Sequence, residues 1–260
     1  MYDLPGVERD VDLLWASIAE HVDADPVRLR PDDLHGHWRS GEFVLSQTCG
    51  FPLVETLDQV TVIGVFTTAV GVGDGSHYQS VIIEPERSSS GPLAVNSWDS
   101  LSGYVSLAHF LAVERPEVLD PGPVSTLITG GHRHSLAAVA SGLASRASID
   151  AVTFDILSRT APDTVAAVRR VGSGPTVPCL PLVTANHEHR ARLSHAIEQV
   201  VQIESLQPVL RRLAITGFKP LGRDAYSGVS ALITKARQAV PPNSDDKPYL
   251  GGGELWRMSP

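Results

Sequence analysis

Between residues 93 and 159 short apolar runs alternate with stretches of helical periodicity, and this alternation constrains the fold more than any other feature of the chain. Leu93-Ala94-Val95-Asn96, Val124 to Thr129 and Ser148-Ile149-Asp150 read as strands. Tyr104, Leu107, Ala108 and Leu111 form one helix face, and Leu136, Val139, Ala140 and Leu143 form another. A further helix comes near residues 151–159. Parallel strands need crossover connections, so strands separated by helices imply a parallel α/β arrangement.

Two breaks flank this region: residues 84–92, Glu-Pro-Glu-Arg-Ser-Ser-Ser-Gly-Pro, which include Ser88, and Gly172-Ser173-Gly174-Pro175. Before the first break, Val11, Leu14, Trp15, Ile18 and Val22 mark a helix, and Pro26 and Pro31 end its periodicity. Phe43 to Ser46 reads as a strand that runs into a turn at Gln47-Thr48-Cys49-Gly50. Val60 to Val70, the loop with Gly71, Gly73 and Gly75, and Tyr78 to Ile83 together look like a hairpin. After the second break come a strand at Cys179–Thr184, a long helix over residues 188–204, and helices near 206–213 and 224–238. The tail after Pro241 has the composition of irregular chain, and no internal repeat is visible.

Composition narrows the function. With 260 residues and 42% hydrophobic content the chain can build a core, and its net charge of 21 − 29 = −8 offers no basic face as a whole for nucleic acid. Two cysteines, Cys49 and Cys179, cannot form a disulfide scaffold or a Cys-based zinc site, and both are expected as thiols. No apolar run is long enough to cross a membrane, so no membrane insertion is expected. Met1-Tyr2-Asp3-Leu4-Pro5 shows no secretion signal. The expected location is periplasmic if a signal lies upstream of this sequence, and cytoplasmic otherwise.

Several chemistries find no support. Gly71-Val72-Gly73-Asp74-Gly75 lacks the G-x-G-x-x-G spacing and precedes a strand rather than a helix. The pairs His35/His37, His132/His134 and His187/His189 have no carboxylate or Cys at ligand spacing, so no metal is expected. No nucleophile elbow exists, and the chain is read as a non-enzyme without a cofactor. Two segments stand out, each between a strand and a helix: Asn96-Ser97-Trp98-Asp99-Ser100-Leu101-Ser102-Gly103 and Thr129-Gly130-Gly131-His132-Arg133-His134-Ser135. Hydroxyls at a helix start suit a simple cap, and they equally suit a neutral cradle for an anion. In open α/β sheets ligands bind outside the carboxyl ends of the strands, where both segments fall.

The ordered set Ser46-Gln47-Thr48-Cys49-Gly50-Phe51-Pro52-Leu53, Tyr78-x-Ser80, Ala94-Val95-Asn96 with Ser100-x-Ser102-Gly103, Gly131-His132-x-x-Ser135-Leu136-x-x-Val139-Ala140 and Ile149-Asp150 resembles the phosphate/phosphite/phosphonate substrate-binding proteins of ABC transporters. The resemblance spans roughly residues 2–235. It implies an α/β, two-lobed type II periplasmic-binding-protein fold, with two mixed sheets flanked by helices and a double-crossover hinge. Lobe 1 would comprise residues 1–84 and 179–260, the latter with the C-terminal tail, and lobe 2 residues 85–178. The implied function is a monomeric solute-binding protein that closes its lobes on a small anionic ligand for uptake, with an ABC permease as partner. The alternatives are a cytoplasmic sensor or sequestering protein on the same fold, or an enzyme acting on a phosphorylated or heterocyclic substrate. The carried-over ligand-binding residues are Ser100, Ser102 and His132, with Leu101, where relatives have Thr, offering only its N–H. Asn96, Gly103 and Ser135 complete this group, and Asp150 falls near acidic positions that relatives use for a ligand amine. Gln47, Thr48, Cys49 and Tyr78 are expected to face the ligand from the other lobe.

Overall fold

The structure is a computed structural model that describes residues 2–25, 27–87, 89–120 and 124–242; Ser88 and the tail from residue 243 onward lie outside the described residues. In chain order the elements begin with α1 (Glu8–His21), α2 (Leu34–Ser40), β1 (Ser46–Gln47), α3 (Gly50–Glu55), β2 (Thr61–Thr68), β3 (His77–Tyr78), β4 (Val81–Pro85) and β5 (Leu93–Val95). A π-helical turn, Leu101–Val105, leads into α4 (Ser106–Glu114), followed by β6 (Thr126–Ile128), α5 (His132–Ala140), β7 (Arg146–Ile149), α6 (Ala151–Thr160) and α7 (Pro162–Ala166). The remainder is β8 (Val168–Ser173), β9 (Val177–Pro178), β10 (Pro181–Thr184), α8 (Arg190–Val200), α9 (Gln207–Arg212), β11 (Ile215–Pro220) and α10 (Val229–Ala239).

The chain forms two compact units. The first comprises Met1–Gln79, Ala151–Thr160 and Thr176–Ala231. Its main sheet has the order β1-β10-β2-β11, antiparallel throughout. The helical stripe read from the sequence packs as expected: Leu14 and Ile18 of α1 bury against Ile63 of β2 and against Leu193, Ile197 and Val200 of α8. The expected hairpin does not form. The neighbours of β2 are β10 and β11, and the segment read as its partner is split. His77–Tyr78 pairs with β9, whereas Val81–Pro85 enters a different sheet. Val81, Ile82 and Ile83 are all buried, which suits an interior strand covered on both faces rather than the edge of a hairpin. The glycine loop closes on itself instead, with the Gly75 carbonyl accepting from the Thr68 N–H at 3.0 Å.

The second unit comprises Ser80–Asp150, Ala161–Pro175 and Leu232–Pro260. Its sheet has the order β6-β5-β7-β4-β8; β5 runs parallel to β6 and β7, and β4 runs antiparallel to β7 and β8. The parallel trio is the alternation read from the sequence. Gly172-Ser173, read as a break, belongs to β8, where Gly172 pairs with Ile82. A Cβ there would stand 2.3 Å from the Phe110 ring, so this glycine serves close packing on α4 rather than a turn. The expected long helix over 188–204 is shorter, with single-turn helices at His187–His189 and Glu204–Leu206 bracketing α8. The strand β11 and the helix α2 have no counterpart among the elements expected from the sequence.

Because β5 connects to β6 on one side and β6 returns across it to β7, the point where the connections diverge lies between β5 and β7. The carboxyl ends of these strands deliver Asn96 and Asp150 to one rim of the sheet.

Candidate ligand-binding site

The rim of the second unit is built around the helix start at residues 100–106. Ser100 caps it, its Oγ accepting from the Gly103 N–H at 2.9 Å and its carbonyl from the Val105 N–H at 3.0 Å. The first turn is widened into a π-helix because the Leu101 carbonyl accepts from both the N–H and the hydroxyl of Ser106, the latter at 2.9 Å. Leu101 buries its side chain, so only its backbone belongs to the rim. Gly103 is required by its neighbour: a Cβ at this position would lie 1.6 Å from Asn96 Oδ1.

His132, at the start of α5, reaches across so that its Nε2 lies 2.8 Å from Ser102 Oγ. The ring keeps partial solvent access while Nδ1 is enclosed. Burial pushes the His132 pKa down, and the Asp150 carboxylate and the Ser148 backbone pull it back up. Asn96 Oδ1 and Trp98 Nε1 are enclosed without partners, as is the hydroxyl of the fully buried Ser80. The Ser135 hydroxyl is engaged at 2.6 Å by Thr129 Oγ1, so it braces the second helix start. Asp150 is 2% exposed and stands directly after β7. The structure therefore gathers Asn96, Ser100, Leu101, Ser102, Gly103, His132, Ser135 and Asp150 within one unit.

The other four expected residues belong to the first unit. Gln47 donates from Nε2 to the Leu180 carbonyl at 3.4 Å. Thr48 is fully buried with an enclosed, unpartnered Oγ1. Cys49 stands at the N-cap of α3, and Tyr78 is buried in β3. Neither Cys49 nor Cys179 forms a disulfide.

Sequence reading missed Ser148, whose hydroxyl donates to the Ser102 carbonyl at 2.6 Å and ties β7 to the π-turn. A lone Ser in a strand carries no signal of that kind. It also left Ser80 and Trp98 off the site, although both stand in the quoted motifs. Among the described residues no group of three or more His, Cys, Asp or Glu side chains is placed to hold a metal, and no helix is long and apolar enough to cross a membrane.

The mixed α/β fold with polar helix starts beyond its strand ends is that of the type II periplasmic binding proteins. The chain belongs to the family of ABC-transporter, phosphonate, periplasmic substrate-binding proteins, whose model matches residues 32–226. It is similar in structure to a binding-protein component of an ABC phosphonate transporter from Pseudomonas aeruginosa, at 17% identity over 91% of this chain and 85% of that one, with TM-score 0.71. It is also similar to a Prochlorococcus marinus protein solved with methylphosphonate, at 14% identity over 89% and 93%, with TM-score 0.72. A Xanthomonas citri protein solved with ATP matches at 19% identity over 89% and 94%, with TM-score 0.64. At these identities the structural likeness shows the fold. No curated protein matches the chain. Family membership makes the protein a substrate-binding component of a transporter rather than an enzyme, with a small ligand and a permease as its partners.

Proposed function

We propose that this protein binds a small phosphate- or phosphonate-like oxyanion, and that Ser100, Ser102 and the backbone of the π-turn grip it together with His132. The observation that carries this reading is the cluster of donors at the π-turn, where Ser102 Oγ lies 2.8 Å from His132 Nε2 and the Trp98 Nε1–H is enclosed without a partner. Enclosed groups of this kind cost free energy until something hydrogen-bonds to them. No Lys or Arg stands in the Asn96–Gly103 motif, so within it N–H groups and hydroxyls are the donors available to a negative charge. The bound methylphosphonate of the Prochlorococcus protein supports the same ligand class. Gln47, Thr48, Cys49, Tyr78 and Asp150 are proposed as further ligand residues, and the periplasmic address of the family is proposed for this chain.

The test is isothermal titration with phosphate, methylphosphonate and sulfate. Removing one hydrogen bond to a charged group costs about 1.5–3 kcal/mol, so Ser102→Ala should weaken the best ligand roughly 10- to 150-fold. Unchanged affinity in Ser102→Ala, or a best ligand without an anionic group, would sink the assignment.

A further inference from the structure

Ser102 has one hydroxyl proton, and His132 decides where it points. With Ser102 Oγ 2.8 Å from His132 Nε2, one of the two atoms must donate and the other accept. The other ring nitrogen settles which. Nδ1 is enclosed, the Ser148 backbone acts on the ring as a hydrogen-bond acceptor and Asp150 as a carboxylate, and both favour an N–H. A lone pair on Nδ1 would be enclosed among acceptors, so the neutral ring carries its hydrogen there. Nε2 is then the acceptor, and the Ser102 hydroxyl spends its proton on His132. What Ser102 turns to an incoming oxyanion is a lone pair, which repels it.

We propose that the oxyanion enters this cradle together with one proton, and that the proton resides on His132 Nε2. Protonation reverses the bond: Nε2–H donates to Ser102 Oγ, and the hydroxyl proton is released to point at the ligand. One proton is taken from solvent onto the Nε2 lone pair, and no bond between heavy atoms forms or breaks. The inference rests on the oxyanion reading above and adds the proton stoichiometry of the same site.

The charges around His132 permit this. Asp150, beyond the end of β7, favours the imidazolium. On α5 itself stand Arg133 and His134, the latter with Nδ1 3.1 Å from the Thr129 carbonyl. Asp99 precedes the π-turn beside Ser97, and Asp163 lies on α7. At the far ends of their strands, Arg146 of β7 and Arg169 of β8 both pair with Glu84 of β4. In the free protein burial favours the neutral ring, and an anion a hydroxyl away tips the balance.

Titration calorimetry in two buffers of equal pH and different ionisation heat counts the protons. The probes are methylphosphonate and its monomethyl ester, which has no proton of its own to titrate in the neutral range. The ester should bind the wild type with uptake approaching one proton, and its Kd should rise up to tenfold per pH unit above the titration of free His132. His132→Gln should bind the ester with no uptake. In parallel, imidazole NMR should show His132 neutral with hydrogen on Nδ1 in the free protein and doubly protonated in the complex. That readout decides the matter if His132→Gln fails to fold or bind. Ester binding without uptake, uptake surviving in His132→Gln, or a ring that stays neutral in the complex would overturn the proton coupling and leave the oxyanion reading intact. If neither probe binds, the oxyanion reading itself fails and the coupling with it.

Discussion

Gly103→Ala tests the packing logic of the helix start without removing a polar group. The added methyl would sit 1.6 Å from Asn96 Oδ1, 2.7 Å from Asn96 Cγ and 3.1 Å from Ser100 Oγ. Non-bonded contacts are most favourable near about 3.5 Å, so Asn96 must move by roughly 2 Å or the turn must open. Overpacking of this kind costs about 1–3 kcal/mol. For a chain of this size each kcal/mol lowers Tm by roughly 2–4 °C, so a drop of about 2–12 °C is expected by thermal melting. A control isolates the cause. In an Asn96→Ala background the obstructing oxygen is gone, and Ala is a better helix former than Gly by about 1 kcal/mol. There, Gly103→Ala should be neutral or stabilising, which gives a large coupling energy in the double-mutant cycle. A Gly103→Ala protein that melts with the wild type, or that loses as much with Asn96→Ala as without it, would refute the reasoning.

The same contacts predict two more outcomes. Ser148→Ala removes a buried 2.6 Å hydrogen bond to the Ser102 carbonyl; it should cost about 1 kcal/mol in urea unfolding and loosen ligand binding as the π-turn shifts. In the free protein burial holds the His132 pKa below the ordinary histidine value of 6.5, so over the interval between the folded and unfolded values the unfolded chain binds more protons. Stability should therefore fall as pH drops through that interval, and denaturation at several pH values should show this slope reduced in His132→Gln.

The parallel half of the second unit was legible because its strands and helices each carry a local period, and the helix-start motifs lie where that period changes. The pairing of β4 was not. A run such as Val81-Ile82-Ile83 says that a strand is covered on both faces, but it does not say by which neighbours, and proximity in sequence suggested β2 wrongly. Glycine misled in the same way at Gly172, where a residue usually read as punctuation makes room for Phe110. At the site, Ser100, Ser102 and His132 could be named from their place between strand and helix. Ser148 acts through a contact 46 residues distant and is visible only once β7 stands beside the π-turn.

The cradle also predicts how salt should act. A site that held its anion with Lys or Arg would lose affinity as ions screened the attraction. Here the groups turned to the ligand are hydroxyls and N–H groups, with the His132 imidazolium one hydroxyl behind them, all acting well inside a Debye length of about 10 Å at 0.1 M. The long-range field of the chain, at a net charge of −8, opposes an incoming anion. Screening should therefore remove a repulsion rather than an attraction. Raising ionic strength about tenfold with sodium gluconate, whose anion is larger than methylphosphonate, should leave the Kd for methylphosphonate unchanged or lower it modestly, chiefly through faster association. A several-fold weakening over that range would mean that a Lys or Arg side chain reaches the ligand, and a cradle without Lys or Arg would have to be abandoned.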